Sequence, residues 1–185
     1  MIREWEKLQF KGPTKTLPRY RAVQELVSKS NTNTKLRNLR TNSLKPEKEA
    51  WHLALFSYLI SKALNIEVFY SEVESSDYDG VCMWVNDETQ NFAPIQLKEL
   101  VPSDLNPSSS IQKVISSLEK YADSKDLIVA VKLTRDFTLE TENLDTSGLN
   151  IKQLWLFGAT DPMQNNWIIY GDLLEAPKLY RVGVA

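Results

Sequence analysis

Three polar side chains of complementary chemistry are predicted to meet at the base of one β-hairpin. They are a carboxylate at Asp79, an amide at Gln96 and an ammonium at Lys98. With the hairpin turn centred near residues 88 and 89, antiparallel pairing places Asp79 opposite Lys98 and next to Gln96. Because side chains alternate along a strand, Gln96 and Lys98 point to one face and Glu99 to the other. Carboxylate and amide oxygens can coordinate a hard divalent cation such as Mg²⁺.

Helices are predicted before this hairpin in the sequence. A short helix is expected over residues 19–29. Pro46 fits the first turn of a second helix, where its missing N–H costs nothing, and residues 47–64 are helix formers throughout. Glu49 falls in line with an apolar stripe of this second helix, so a carboxylate enters the buried stripe at its first turn. The stripe consists of Leu53, Phe56 and Ile60.

Strand-forming segments fill most of the remaining chain. The polar connection from Asn86 to Asn91 indicates a hairpin, and Pro94, which lacks a donor for the ladder, marks a bulge or an edge-facing position. An amphipathic helix is expected from Ser108 to about Ala122, and its place between two strands implies a parallel crossover. The predicted fold class is therefore α/β, with a mixed central sheet flanked by helices. The predicted strands cover 66–70, 81–85, 92–97, 127–131, 153–157, 167–170 and 179–184.

This order of residues and elements resembles the PD-(D/E)xK nuclease superfamily, which includes restriction endonucleases and many repair nucleases. The core of that family is a helix bearing an acid, a strand, a hairpin carrying Asp and then (Glu/Asp)-x-Lys, a crossover helix and a further strand. A similar order runs here from about residue 47 to residue 133, roughly half of the chain.

The resemblance implies a restriction-endonuclease-like core and a divalent cation, Mg²⁺ or Mn²⁺, as cofactor. It implies that Asp79 holds the cation, and that Gln96 and Glu49 add oxygen ligands. Lys98 would orient or activate the attacking water. The chemistry needs such a cation because phosphodiesters repel anionic nucleophiles, and a bound metal neutralises that charge and acidifies water.

Gln96 stands where the family pattern has an acid. Its amide oxygen carries no formal charge, so the affinity for Mg²⁺ should be lower unless Glu49 or Asp77 compensates. The same residues also have an ordinary structural interpretation, in which Lys98 is a surface lysine and Asp79 caps a turn. An acid in the first turn of a helix, such as Glu49, is favoured by the helix dipole without any further role.

Charge is divided unevenly along the chain. Residues 1–48 hold 12 Lys/Arg and 4 Asp/Glu, whereas residues 49–185 hold 10 and 20. This asymmetry indicates an arm that binds a polyanion, DNA or RNA, through salt-dependent phosphate contacts. It equally suits a solvated loop, or a basic segment that neutralises the protein's own acidic face. The phosphate contacts are assigned to Lys35, Arg37, Arg40 and Lys45.

Composition bounds the domain organisation and excludes several kinds of site. The 185 residues are expected to form a single domain, with a basic N-terminal helix and loop (1–45), a nuclease-like core (46–133) and additional strands (134–185). His52 is the only histidine and Cys82 the only cysteine, which excludes a Ser-His triad and Cys- or His-rich zinc sites. The 6 glycines are scattered, so no Gly-rich phosphate loop is present.

The same features predict where the protein resides. No segment approaches the roughly 18 consecutive apolar residues of a membrane helix, so no membrane partner is expected. The amino terminus has no apolar stretch after a basic start, and a single cysteine suits a reducing compartment. A cytoplasmic location is therefore predicted.

Two functions are compatible with these observations. One is an Mg²⁺- or Mn²⁺-dependent endonuclease that hydrolyses phosphodiester bonds in nucleic acid. The other is a catalytically inactive nuclease-like module that keeps the scaffold and binds nucleic acid or a protein partner. The two hypotheses differ in whether Asp79 and Lys98 are essential.

Overall fold

The structure is a computed structural model that describes residues 2–29, 44–73, 75, 77–121, 124–135 and 143–184. Its strands follow one another in sequence order across a seven-stranded sheet, and both parallel and antiparallel pairs occur. The predicted α/β class with a mixed sheet is therefore confirmed. The helices are α1 (Ile2–Trp5), α2 (Pro13–Lys29), α3 (Lys45–Leu64) and α4 (Ile111–Ser116). The strands are β1 (Val68–Glu72), β2 (Gly80–Asn86), β3 (Thr89–Leu100), β4 (Ile128–Leu133), β5 (Gln153–Ala159), β6 (Asn166–Gly171) and β7 (Lys178–Gly183).

The chain divides into two compact units. The first comprises Met1–Phe92 together with Ala185, and the second comprises Ala93–Val184. The expectation of a single domain stays a prediction. None of the helices that the structure describes is both long enough and apolar enough to cross a membrane.

Helix α3 is the longest described helix of the first unit, and its predicted extent is confirmed. Pro46 occupies its first turn, and Asn65, which follows the last helical residue, caps the helix in a left-handed conformation with φ of 52°. The predicted apolar stripe is buried at Leu53 and Phe56, which are 0% and 2% exposed. Hydrophobic burial of this stripe against the rest of the first unit is the main force that holds α3 in place.

The hairpin between β2 and β3 is confirmed, but its turn is shorter than predicted. β2 pairs antiparallel with β1, and β2 is joined to β3 by Asp87 and Glu88 alone. Both have positive φ, 46° and 64°, as a type I′ turn requires. The turn position assumed from the sequence was therefore wrong, because the polar residues 89–91 belong to the exposed start of β3 and not to the loop.

The second unit contains the predicted parallel crossover. β3 pairs parallel with β4, and β4 pairs parallel with β5, while β6 and β7 add antiparallel strands. The helix between β3 and β4 is shorter than predicted. Ser110 caps α4 by accepting a hydrogen bond from the Lys113 N–H, and a 3₁₀ turn over Glu119–Tyr121 follows. Pro94 directly precedes Ile95, where pairing with β4 begins, and its assignment to a bulge or an edge-facing position stays a prediction.

Candidate functional site

Gln96 and Lys98 lie on one face of β3, and both contact Tyr121. The Tyr121 hydroxyl donates a hydrogen bond of 3.0 Å to Gln96 Oε1. Lys98 Nζ lies 5.5 Å from the centroid of the Tyr121 ring, within the range of a cation–π interaction. All three residues belong to the second unit. The prediction that Gln96 and Lys98 share a face is confirmed.

The Gln96 side chain is buried, and this makes its hydrogen bonds important. Gln96 is 7% exposed, and its partner on β4 is the fully buried Val129. An amide in such apolar surroundings is costly unless its polar atoms are bonded. Tyr121 satisfies the amide oxygen, and Gln96 Nε2 donates to the Leu97 carbonyl oxygen at 3.3 Å. The amide is therefore held in one orientation.

Tyr121 was missed in the sequence, although a signal for it was present. It follows Leu118 by three residues, and Ile111, Ile115 and Leu118 have helical spacing, with Ile115 and Leu118 fully buried. Continuing that spacing would have placed Tyr121 on the same side as these residues. Its contact with the Gln-x-Lys motif could not be read from spacing, because it depends on where the crossover ends in space.

A second ammonium lies on the same ring. Lys120 Nζ is 5.1 Å from the Tyr121 ring centroid. Lys98 and Lys120 therefore concentrate positive charge around the exposed side of the motif. A region of this sign attracts anions such as nucleic-acid phosphates.

The two predicted acids lie in the first unit. Asp79 is half-buried and directly precedes β2. Glu49 is in α3, where its carboxylate is 34% exposed and forms an ion pair of 3.4 Å with Lys45, one helical turn earlier. As an exposed i,i+4 pair, this contact stabilises the helix by only about 0.5 kcal/mol.

Gly80 shows how closely β2 approaches α3. A Cβ atom at Gly80 would lie 2.2 Å from Leu53 Cδ2 and 2.8 Å from the Ser71 carbonyl oxygen. Leu53 follows Glu49 by one helical turn, so the residue after Asp79 packs on α3 close to the turn that carries Glu49. Only glycine fits this position, and it holds the start of β2 against the helix.

Mg²⁺ or Mn²⁺ would find hard oxygen donors in the predicted set. Glu49, Asp79 and Gln96 together offer two carboxylates and one neutral amide oxygen, which are ligand types that these cations accept. Within the described ranges no group of three or more His, Cys, Asp or Glu side chains could hold a metal ion. Gln96 and Lys98 are brought together in the second unit, whereas the two acids belong to the first.

The predicted basic contacts lie largely outside the described residues. Lys35, Arg37 and Arg40 fall in the range 30–43, which the structure does not describe. Lys45, at the start of α3, has a side chain that is 69% exposed and is the partner of Glu49. Its contact with phosphate stays a prediction.

The only histidine and the only cysteine are core residues, as predicted. His52 is 4% exposed and its ring lies 5.0 Å from that of Trp51. Burial raises the pKa of the Cys82 thiol to about 12, although its hydrogen bond with Ser57 acts in the opposite direction. A thiol with so high a pKa is not a nucleophile at neutral pH.

Comparisons with known proteins assign no family to this geometry. No family model, no curated protein and no solved structure matches the chain. The resemblance to PD-(D/E)xK nucleases is therefore carried by the residues and the element order of this chain alone.

Proposed function

We propose that this protein is a Mg²⁺- or Mn²⁺-dependent nuclease that hydrolyses phosphodiester bonds in nucleic acid. The proposed site consists of Asp79, Gln96 and Lys98, with Glu49 as an additional carboxylate. The observation that carries the proposal is the Gln-x-Lys pair on one face of β3, with both side chains in contact with Tyr121. Asp79 directly precedes β2, the strand that leads into β3 through the tight turn.

The order of elements along the chain supports the proposal. α3 carries Glu49 and is followed by β1, and the hairpin of β2 and β3 comes next. α4 then connects β3 to the parallel strand β4. This is the order that the resemblance to PD-(D/E)xK nucleases implies.

Each proposed role follows from the chemistry of the side chain. A bound divalent cation would neutralise the phosphate and acidify a water molecule. Asp79 and Glu49 supply anionic oxygens for that cation, and the Gln96 oxygen supplies a neutral one. A carbonyl oxygen has two lone pairs, so accepting one hydrogen bond from Tyr121 does not by itself prevent Gln96 Oε1 from coordinating a cation. The Lys98 ammonium would orient or activate the attacking water.

The first test is a cleavage assay with single-stranded DNA, double-stranded DNA and RNA, each with Mg²⁺ and with Mn²⁺. Asp79→Asn and Lys98→Ala should each reduce the cleavage rate by about 10²-fold or more, because each removes a group that acts on the transition state. Asp104→Asn is the matched control, since Asp104 is an exposed loop acid. Wild-type cleavage that equals that of Asp79→Asn on every substrate and with both metals would contradict the proposal.

Gln96→Glu provides a gain-of-function test. The substitution restores the acid of the family pattern, so it adds a negative charge at the metal while Tyr121 can still donate to the side chain. We expect a lower Mg²⁺ concentration at half-maximal cleavage than in the wild type. An unchanged metal requirement would indicate that residue 96 does not contact the cation.

The inactive module remains the second candidate, and one observation favours it. Gln96 Oε1 is uncharged and already accepts a hydrogen bond from Tyr121, so it is a weak metal ligand. This candidate predicts no heat of Mn²⁺ binding in calorimetry and unchanged nucleic-acid binding in Lys98→Ala. Measurable Mn²⁺ binding that is abolished in Asp79→Asn would exclude it.

A further inference from the structure

The outer edge of β7 is open within the described part of the second unit. β7 pairs antiparallel with β6 on its inner side and is the last strand of the sheet. The Val184 N–H donates to the Asn165 carbonyl oxygen at 2.7 Å, one step beyond the end of the β6–β7 pairing. Because hydrogen-bonded and non-bonded pairs alternate in an antiparallel ladder, the backbone N–H and C=O groups of Leu179 and Arg181 point outward.

A pocket adjoins this edge on the face that carries the Leu179 and Arg181 side chains. Its volume is about 870 Å³, within the size range of ligand-binding pockets. Its wall includes a row of residues that are paired across β5, β6 and β7, namely Leu156, Tyr170 and Leu179. The next row is Leu133, Gly158 and Ile168, and a Cβ atom at Gly158 would lie only 3.2 Å from Leu133 Cβ.

Leu179 belongs to both the open edge of β7 and the pocket. Its side chain lines the pocket, it is 51% exposed, and its outward backbone groups are on the open edge. A strand that pairs with β7 would therefore place one side chain beside Leu179 and over the pocket. Backbone hydrogen bonds and a side-chain pocket are the two components of peptide recognition by strand addition.

The charge of β7 determines which partner strand can pair with its open edge. β7 carries Lys178 and Arg181, both exposed, and no acid. An antiparallel pair of two β7 strands from two copies of this chain would bring these like charges close together, which disfavours self-association. An acidic side chain opposite Arg181 would instead form an ion pair.

We propose that the β7 edge and this pocket bind an extended segment of a partner protein, which adds to the sheet as a further strand. The segment carries an acidic residue opposite Arg181 and an apolar residue opposite Leu179. These two residues are separated by one position, since only alternate side chains of a strand share a face. The site is distinct from the proposed nuclease residues and does not depend on a metal.

The test uses the full-length protein and a labelled threonine-rich peptide with glutamate and leucine separated by one residue. A control peptide of the same composition has glutamate and leucine adjacent, so that they face opposite sides. In fluorescence anisotropy the first peptide should bind saturably and the control peptide about tenfold more weakly or not at all. Binding should also weaken as salt is added, because the ion pair is exposed.

Variants of the protein separate the three parts of the proposal. Leu179→Asp removes the apolar side chain, Arg181→Gln removes the charge, and Arg181→Pro also removes the outward N–H without disturbing the ladder to β6. Each substitution should weaken peptide binding about tenfold or more. The Arg181→Pro variant should bind the peptide more weakly than the Arg181→Gln variant. Leu105→Asp is the matched control, since Leu105 is 49% exposed and lies in the same unit.

Three results would overturn the proposal. They are equal binding of the two peptides, equal binding by wild type and Leu179→Asp, and a wild-type dimer in sedimentation that Leu179→Asp converts to monomer. Thermal denaturation checks that each variant is folded. If Arg181→Pro does not fold, the comparison of the two peptides and the Leu179→Asp variant still decide the outcome.

Discussion

Tyr121 connects the two motif side chains that the structure brings together. Its hydroxyl donates to the buried Gln96 amide, and its ring faces the Lys98 ammonium. The hydrogen bond satisfies an amide that would otherwise be buried at a cost of about 1–3 kcal/mol. It also fixes the amide oxygen, which is the atom that a metal would use. A purely structural role and a positioning role therefore predict different consequences when the hydroxyl is removed.

Tyr121→Phe removes the hydroxyl and keeps the ring. The free energy of unfolding should decrease by about 1 kcal/mol, because a part-buried hydrogen bond is removed. If Tyr121 positions Gln96, the Mn²⁺ concentration at half-maximal cleavage should also rise. Tyr180→Phe, at a half-buried tyrosine of β7, is the control. A decrease in stability with an unchanged metal requirement would assign Tyr121 a structural role only.

At the scale of elements, close backbone approaches and tight turns set the positions of the strands. Gly80 brings the start of β2 against α3, and the two-residue turn at Asp87 and Glu88 joins β2 to β3. The connection between β5 and β6 is fixed by Asp161. Its carboxylate accepts hydrogen bonds from the backbone N–H groups of Asn165 and Asn166, at 3.3 and 2.7 Å.

Asp161 should make the stability of this connection depend on pH. The backbone hydrogen bond from Asn166, followed by that from Asn165, lowers the pKa of Asp161 below its usual value, although desolvation opposes them. A carboxyl whose pKa is lowered by folding stabilises the protein above its unfolded pKa of about 3.9, and that stabilisation is lost as the pH falls through the folded pKa. Asp161→Asn should therefore have a lower Tm than the wild type at neutral pH.

The Tm difference should shrink as the pH is lowered below about 4, because the wild-type carboxyl is then protonated as well. Thermal denaturation monitored by circular dichroism across this pH range measures it. The exposed acid Asp104, changed to Asn, is again the control. A Tm difference that is constant with pH would show that the Asp161 charge is not responsible.

The sequence predicted which helices and strands form better than it predicted where each of them begins and ends. α3 and the apolar strand β4 were found because burial imposes periodic or continuous apolar patterns on them. The turn at Asp87 was misplaced, because an exposed strand start such as Thr89 is as polar as a loop. The shared face of Gln96 and Lys98 followed from strand alternation, which is local. The contact of Tyr121 with them is not local, since it depends on how α4 returns the chain to the sheet.

At the scale of the whole molecule, the charge is almost balanced but separated along the chain. The formal net charge is only −2, yet residues 1–48 hold 12 of the 22 Lys/Arg. A nearly neutral total gives no overall attraction to nucleic acid, so binding would have to come from a local concentration of positive charge. Removal of lysine and arginine from residues 1–48 should therefore weaken nucleic-acid binding more than removal of lysines from the acidic remainder.

A triple substitution in the basic segment tests this difference: Lys35→Gln, Arg37→Gln and Arg40→Gln. In the Asp79→Asn background, which is expected to slow cleavage, the affinity for DNA and RNA should fall at low salt. On duplex DNA the slope of log K against log salt concentration should become shallower by about 0.9 for each phosphate that the variant no longer neutralises. The control changes three exposed lysines of the second unit to Gln, Lys125, Lys152 and Lys178, and should leave the slope unchanged. Should the basic segment instead neutralise the protein's own acidic face, the triple variant would be less stable to heat and would keep its salt slope.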